Sequence, residues 1–199
     1  MEPVIGPRAE HTSLPISIET RSATDAREAV AAGAQVINDI TGLEEDPAML
    51  SVALDFQAAV CVMHMQGSPQ TMQDDPRYDD VVAEVAEYLA ERRDRLVEAG
   101  VALEKISLDP GIGFGKTRQH NLDLLTRADQ FHRLGCPVLV GHSRKGFIRK
   151  VSDVPESDAV AGTIGVALAL AQRQVQVIRV HDVGAVREAL LLFEATGGL

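Results

Sequence analysis

Apolar and polar positions follow two rhythms along the chain. Short runs rich in β-branched residues, PISIE, AQVINDI, AAVCVMHM, KISLD, PVLVGHS and VQVIRVH, read as strands. Between them lie segments such as RSATDAREAVAAG and DDVVAEVAEYLAERRDRLVEAG, where apolar residues recur every third or fourth position. In 79–99 this spacing selects Val82, Val85, Ala86, Leu89, Leu96 and Val97, and Gly100 follows as a C-terminal cap; Gly33 closes the preceding helical pattern in the same way. Largely apolar strands that alternate with helices predict a parallel sheet covered by helices. The βα unit is the only repeat, and no low-complexity segment interrupts it.

Each apolar run ends on polar groups: Glu19, then Asn38 and Asp39, His64, Asp109, the Ser143-Arg144-Lys145 cluster, and last Arg179, His181 and Asp182. In parallel α/β folds the carboxyl ends of the strands are where ligands bind, because side chains from separate strands converge there. Period-2 alternation puts Arg179 and His181 on one face of their strand and turns Ile178 and Val180 toward covering helices. The stretch SLDPGIGFGKT is the most pointed of these ends. Asp109 closes the strand and Pro110 stops the ladder. Gly111, Gly113 and Gly115 then permit a tight loop that brings backbone and Phe114 close to a flat ligand. The loop matches neither nucleotide motif, since GIGFG is not the dinucleotide fingerprint and the first glycine of a P-loop ending in GKT would fall on Pro110.

Composition narrows the classes. A chain of 199 residues, 45% hydrophobic, has the size and core of one domain, read here as 1–199. With 29 acidic against 19 basic side chains the formal net charge is −10, which argues against nucleic acid or an anionic membrane as partner. No apolar run reaches membrane-spanning length and the first residues lack a signal-peptide layout, so a cytoplasmic protein is expected. Cys61 and Cys136 sit in or beside apolar runs and read as buried thiols.

Taken together, PISIET, INDITG, VMHMQGSPQTMQ, SLDPGIGFGKTRQHN, VGHSRKGFI and IRVHDV resemble dihydropteroate synthases, in the family's order and spacing from about residue 15 onward. The resemblance implies a TIM (β/α)8-type barrel, a transferase of folate biosynthesis and a sulfonamide target. The reaction implied is condensation of a dihydropterin methyl diphosphate with 4-aminobenzoate. It gives Asp109, Lys145, Arg179 and His181 catalytic roles. Glu19, Asn38, Met63, Phe114, Gly141 and Ser143 would bind substrate, and none of these residues is a metal ligand. The chemistry suits the residue types. A carboxylate and an Asn read the donor and acceptor edge of a pterin, and a fixed carboxylate stabilises the positive charge that develops as diphosphate leaves. Arg179 and His181 would face the departing anion, while Lys145 would hold the pterin carbonyl beside the 4-aminobenzoate pocket. Asp39, His64 and His120 read as structural, and Arg144 as a loop cation.

The resemblance begins inside the fold. Two strands that the family places before PISIET, with an Asn and an Arg of the site, have no counterpart, so about six of eight βα units are expected and the barrel is N-terminally truncated. EPVIGPRAEH reads as the end of a helix, and PISIE and IRVH become sheet edges. Magnesium is implied as cofactor, its usual Asn ligand lying in the part without a counterpart. Glu19 stands where the family usually has Asp, which carries the carboxylate about 1.5 Å further. The resemblance implies a homodimer through helices near the C-terminus, and VAGTIGVALALAQ and VGAVREALLLF are apolar enough to serve either the core or such an interface. Two other readings stay open: a pterin-binding module of a methyltetrahydrofolate-corrinoid methyltransferase, and a noncatalytic pterin-binding remnant.

Overall fold

The computed structural model describes residues 2–152 and 159–199. The chain forms two compact units, Met1–His64 with Glu87–Leu108, and Met65–Ala86 with Asp109–Leu199.

The first unit begins with helix α1 (Glu2–His11), so EPVIGPRAEH is helical as its pattern predicted. Its sheet has the order β1 (Ser17–Glu19), β2 (Val36–Asp39), β3 (Ala59–Met63) and β4 (Ile106–Asp109). The first pairs are parallel, with Glu19 opposite Asn38 and Asn38 opposite Cys61, so these strand ends fall in register. Helices α2 (Ala23–Ala31) and α3 (Met49–Asp55) make the connections. Helix α2 starts at Ser22, whose hydroxyl accepts from the Asp25 amide, and Asp46 accepts from the Ala23 amide, so two orphan N–H groups of the first turn are satisfied. It stops at Gly33, where φ is +112° and a Cβ would lie 2.8 Å from that of Ala9. Leu89 of α4 (Val81–Glu98) is fully buried, and so are Ile37, Val60 and Leu108, as the helical and strand periods required, while Val97, on the same pattern, is 43% exposed.

In the second unit β5 (Leu139–Gly141) pairs in parallel with β6 (Val177–Arg179), setting Gly141 opposite Arg179. Helices α5 (Arg118–Thr126), α6 (Gly146–Ser152), α7 (Ala159–Gln172) and α8 (Val183–Ala195) surround this pair, with Leu124, Phe131, Val140 and Leu170 in the core. Ile178 and Val180 line an apolar groove with residues of α7 and α8, the orientation that alternation along the strand predicted. All six expected strands are present. Each of β1 and β6 has a single strand neighbour among the described residues, and each leaves its two end residues exposed around a half-buried centre.

Candidate active site

The second unit gathers its chemistry around Asp109. The side chain is 3% exposed, and its Oδ1 accepts from the Gly111 amide at 2.7 Å, which folds the Asp-Pro-Gly corner back on the strand end. Burial pushes its carboxyl above the ordinary value, while Lys145, the Gly111 amide, Arg179 and Lys116 pull it down. Three cations thus converge on one buried carboxylate.

The glycine loop that follows has φ of +71°, +84° and +61° at Gly111, Gly113 and Gly115, a path that side-chain-bearing residues rarely follow. Four successive carbonyls of this loop are each held by a different side chain. The Lys145 ammonium donates to Ile112 O, Gln73 Nε2 to Gly113 O at 2.7 Å, Lys116 Nζ to Phe114 O at 2.9 Å and Tyr78 Oη to Gly115 O at 2.9 Å. Asn121, itself buried, accepts from the Gly113 amide at 2.6 Å. One backbone bond closes within the loop, Phe114 N–H to the Gly111 carbonyl at 3.1 Å, and a surrounding frame of side chains satisfies the carbonyls that follow. Half-buried Phe114 lies under Lys145, with Nζ 4.6 Å from the ring centroid.

At the other strand ends of this unit, a Cβ on Gly141 would stand 3.1 Å from Nε and Nη2 of Arg179, so the absence of a side chain makes room for the guanidinium. Ser143 Oγ accepts from the His181 amide at 3.2 Å and lies 3.0 Å from His181 Nδ1, which fixes the ring. Arg144 forms a two-point ion pair with Asp182 at 3.0 and 2.5 Å on the surface. That bond holds the half-buried Asp182 carboxyl below its usual range, and Arg144 is the loop cation the sequence suggested. His120 accepts from the Thr117 amide within a reciprocal cap of α5, a structural role.

In the first unit Asn38 is buried and its Nδ2 donates to Glu19 Oε2 at 3.4 Å, so the longer acid is tied to its neighbour on the next strand. Met63 is 2% exposed. Asp39 Oδ1 accepts from the amide and hydroxyl of Thr41 at 2.8 and 2.7 Å, closing the INDITG turn. The His64 ring meets Tyr88 edge to face at 5.0 Å. Both have the structural character expected of them.

Lys116 is the group the sequence reading passed over. In GKT it looks like a failed P-loop, and only burial, at 3% exposed, marks it. Its ammonium is pushed down to about 7, chiefly by that burial, with Asp109 opposing and Lys145 adding to the shift.

Parallel strands joined by helices, with a buried carboxylate, lysines and an arginine at their carboxyl ends, define an α/β enzyme that binds its ligand at the strand ends. The family model that matches the chain is that of the pterin binding enzymes, over residues 1–181. The dihydropteroate synthase of Escherichia coli K12 is 44% identical over 194 residues, covering 98% of this chain and 68% of its own length. Solved structures agree. The Stenotrophomonas maltophilia dihydropteroate synthase superposes with a TM-score of 0.94 at 43% identity, over 98% of this chain and 74% of that one. The Xanthomonas albilineans dihydropteroate synthase, in complex with 7,8-dihydropteroate, gives 0.90 at 39%, over 100% and 73%. The chain belongs to the pterin-binding enzymes, with the barrel fold of that family. Its reading as a dihydropteroate synthase, a transferase of folate biosynthesis, is the one these relatives support over the methyltransferase alternative.

Proposed function

We propose that Asp109 reads the donor edge of the dihydropterin and, once held there, stabilises the positive charge that spreads into the ring as the diphosphate leaves. The observation that carries this is a fully buried carboxylate ringed by Lys145, Arg179 and Lys116 beside a loop that presents Phe114. Lys145 is placed to exchange its bond to the Ile112 carbonyl for one to the pterin carbonyl. Phe114 offers a flat face for the second ring, and Arg179, with His181 fixed by Ser143, takes the leaving diphosphate. The carbon–oxygen bond to diphosphate breaks, the 4-aminobenzoate nitrogen bonds the methylene carbon, and a proton leaves the amine. Gly141 gives Arg179 its room. Pterin-binding roles for Glu19, Asn38 and Met63 belong to the same proposal and rest on the resemblance, supported by the Asn38 to Glu19 bond within their own unit.

Magnesium is proposed on the resemblance: among the described residues no three His, Cys, Asp or Glu group together, and an ion that binds substrate phosphates needs only one or two protein ligands. The chemistry above uses side chains of this chain alone. A homodimer is also proposed, supported by Val183, Leu191 and Leu192 of α8, which are 61%, 49% and 61% exposed. Among the described residues no helix is long and apolar enough to cross a membrane; a cytoplasmic setting is proposed, and the buried Cys61 and Cys136 thiols suit it.

The test is diphosphate release from the dihydropterin diphosphate and 4-aminobenzoate, beside Asp109→Asn. Release by the protein, lowered by about 10²- to 10³-fold in the variant, is the expected result. Equal release by both would remove Asp109 from the mechanism.

A further inference from the structure

Lys116 has no part in the chemistry above, yet it is the most deeply buried lysine described and stands at the same carboxylate. Its Nζ donates to the Phe114 carbonyl at 2.9 Å and lies 5.9 Å from the centroid of the Tyr78 ring. Tyr78 in turn donates to the next carbonyl, that of Gly115. The carbonyls of Phe114 and of the residue after it are thereby held, while the Lys145 ammonium lies over the Phe114 ring.

We propose that Lys116 is a positioning residue of the pterin site, holding the Phe114 carbonyl so that the ring is seated for the ligand, and setting with Lys145 the charge that faces Asp109. The inference rests on the pterin-binding reading and deepens it.

The charged and titratable groups that face Lys116 are Asp109 at the end of β4, Lys145 before α6 and Tyr78 in the segment before α4. A deprotonated Lys116 still has N–H groups to donate to the carbonyl, so the loop is held in either state. The charge beside Asp109 differs between the two states. A pterin that occupies the carboxylate with its own donors leaves Asp109 less available to an ammonium, and its bulk removes water. Both effects favour the neutral amine. Ligand and proton therefore oppose each other at Lys116, and by reciprocity pterin binds more tightly as pH rises through the Lys116 midpoint. A neutral amine also removes repulsion from the cation formed during the reaction.

The experiment uses the full chain labelled with [13Cε]-lysine, with Lys116→Arg used only to assign the Lys116 resonance. Resonances are followed from pH 5.5 to 9.5, without ligand and saturated with pterin-6-carboxylate, and the dissociation constant of that probe is measured by calorimetry over the same range for the wild type and Lys116→Met. The expected result is a Lys116 midpoint near 7 that moves down with pterin, together with binding that tightens across it. Lys116→Met should bind about tenfold more weakly and lose this pH dependence. Since the midpoint is read on the unaltered chain, a variant that folds poorly does not blunt the test. Pterin binding that leaves the Lys116 midpoint in place, with a pH dependence shared by Lys116→Met, overturns the inference alone. Absence of pterin binding by the wild type at every pH overturns the functional reading, and the inference with it.

Discussion

Asp109 shows how a functional residue is held against its own stability. Burial raises its carboxyl above the ordinary value of 3.8, so the folded chain keeps the proton more tightly than the unfolded chain does. The stabilisation this gives is complete below the ordinary value and lost as pH rises through the folded one, and at neutral pH the ionised group costs stability. Asp109→Asn retains an oxygen for the Gly111 amide and removes that cost. The variant should melt above the wild type at pH 7.5 while losing activity, and the difference should close as pH falls toward 4; a lower melting temperature for the variant at pH 7.5 would contradict the sign. Gly141→Ala tests a neighbouring idea. Its Cβ would press on the end of the flexible Arg179 side chain, so thermal stability should hold while diphosphate release falls by about 10- to 100-fold. Asp109 was legible because it closes a strand within SLDPGIGFGKT, the stretch through which the resemblance assigned it a catalytic role. Lys116 was not, since nothing in GKT says that its ammonium turns inward.

At the level of elements, the glycine loop works because its frame does. Gly115 has φ +61°, and a Cβ there would lie 2.4 Å from the backbone oxygen of Gln66, which cannot step aside as a side chain does. Gly115→Ala should lower unfolding free energy by at least about 2 kcal/mol, measured by urea titration. Gly135 is the control, with φ +74° and nothing within 4 Å of its Cβ position. There, Ala should cost about 1 kcal/mol from backbone strain alone. The glycines themselves announced a tight loop. Their partners, Gln73 and Tyr78, come from about 40 residues upstream in sequence, and no local pattern connects the two segments. Periodicity did place the strands and helices, because a side chain's burial on a strand or helix follows from its spacing.

For the molecule as a whole, the exposed apolar face of α8 is where an assembly would form. If two copies associate through this helix, sedimentation should give twice the mass of a 199-residue chain, and Leu192→Glu should return the monomer by burying a charge in the contact. A wild type that sediments as a monomer at high concentration, or a dimer unaffected by the substitution, would place the contact elsewhere. Apolar patterning in VGAVREALLLF announced a helix with surplus hydrophobic surface. Whether that surface met the core or solvent depended on which side β6 and α7 occupied, and they take Val186 and leave Leu192 outward.

The sequence by itself determined the alternation of strands and helices, the polar strand ends, the helix-facing side of Ile178 and Val180 and the presence of a carboxylate at the head of a glycine loop. Each follows from spacing along the chain or from the backbone freedom of particular residues. Only the tertiary structure decided that Lys116 is buried beside Asp109, that four carbonyls of the loop are held by four separate side chains, and that Glu19 is tied to Asn38. These depend on groups distant in sequence coming within a few ångströms, and on the loss of water that turns a nearby charge into a strong one.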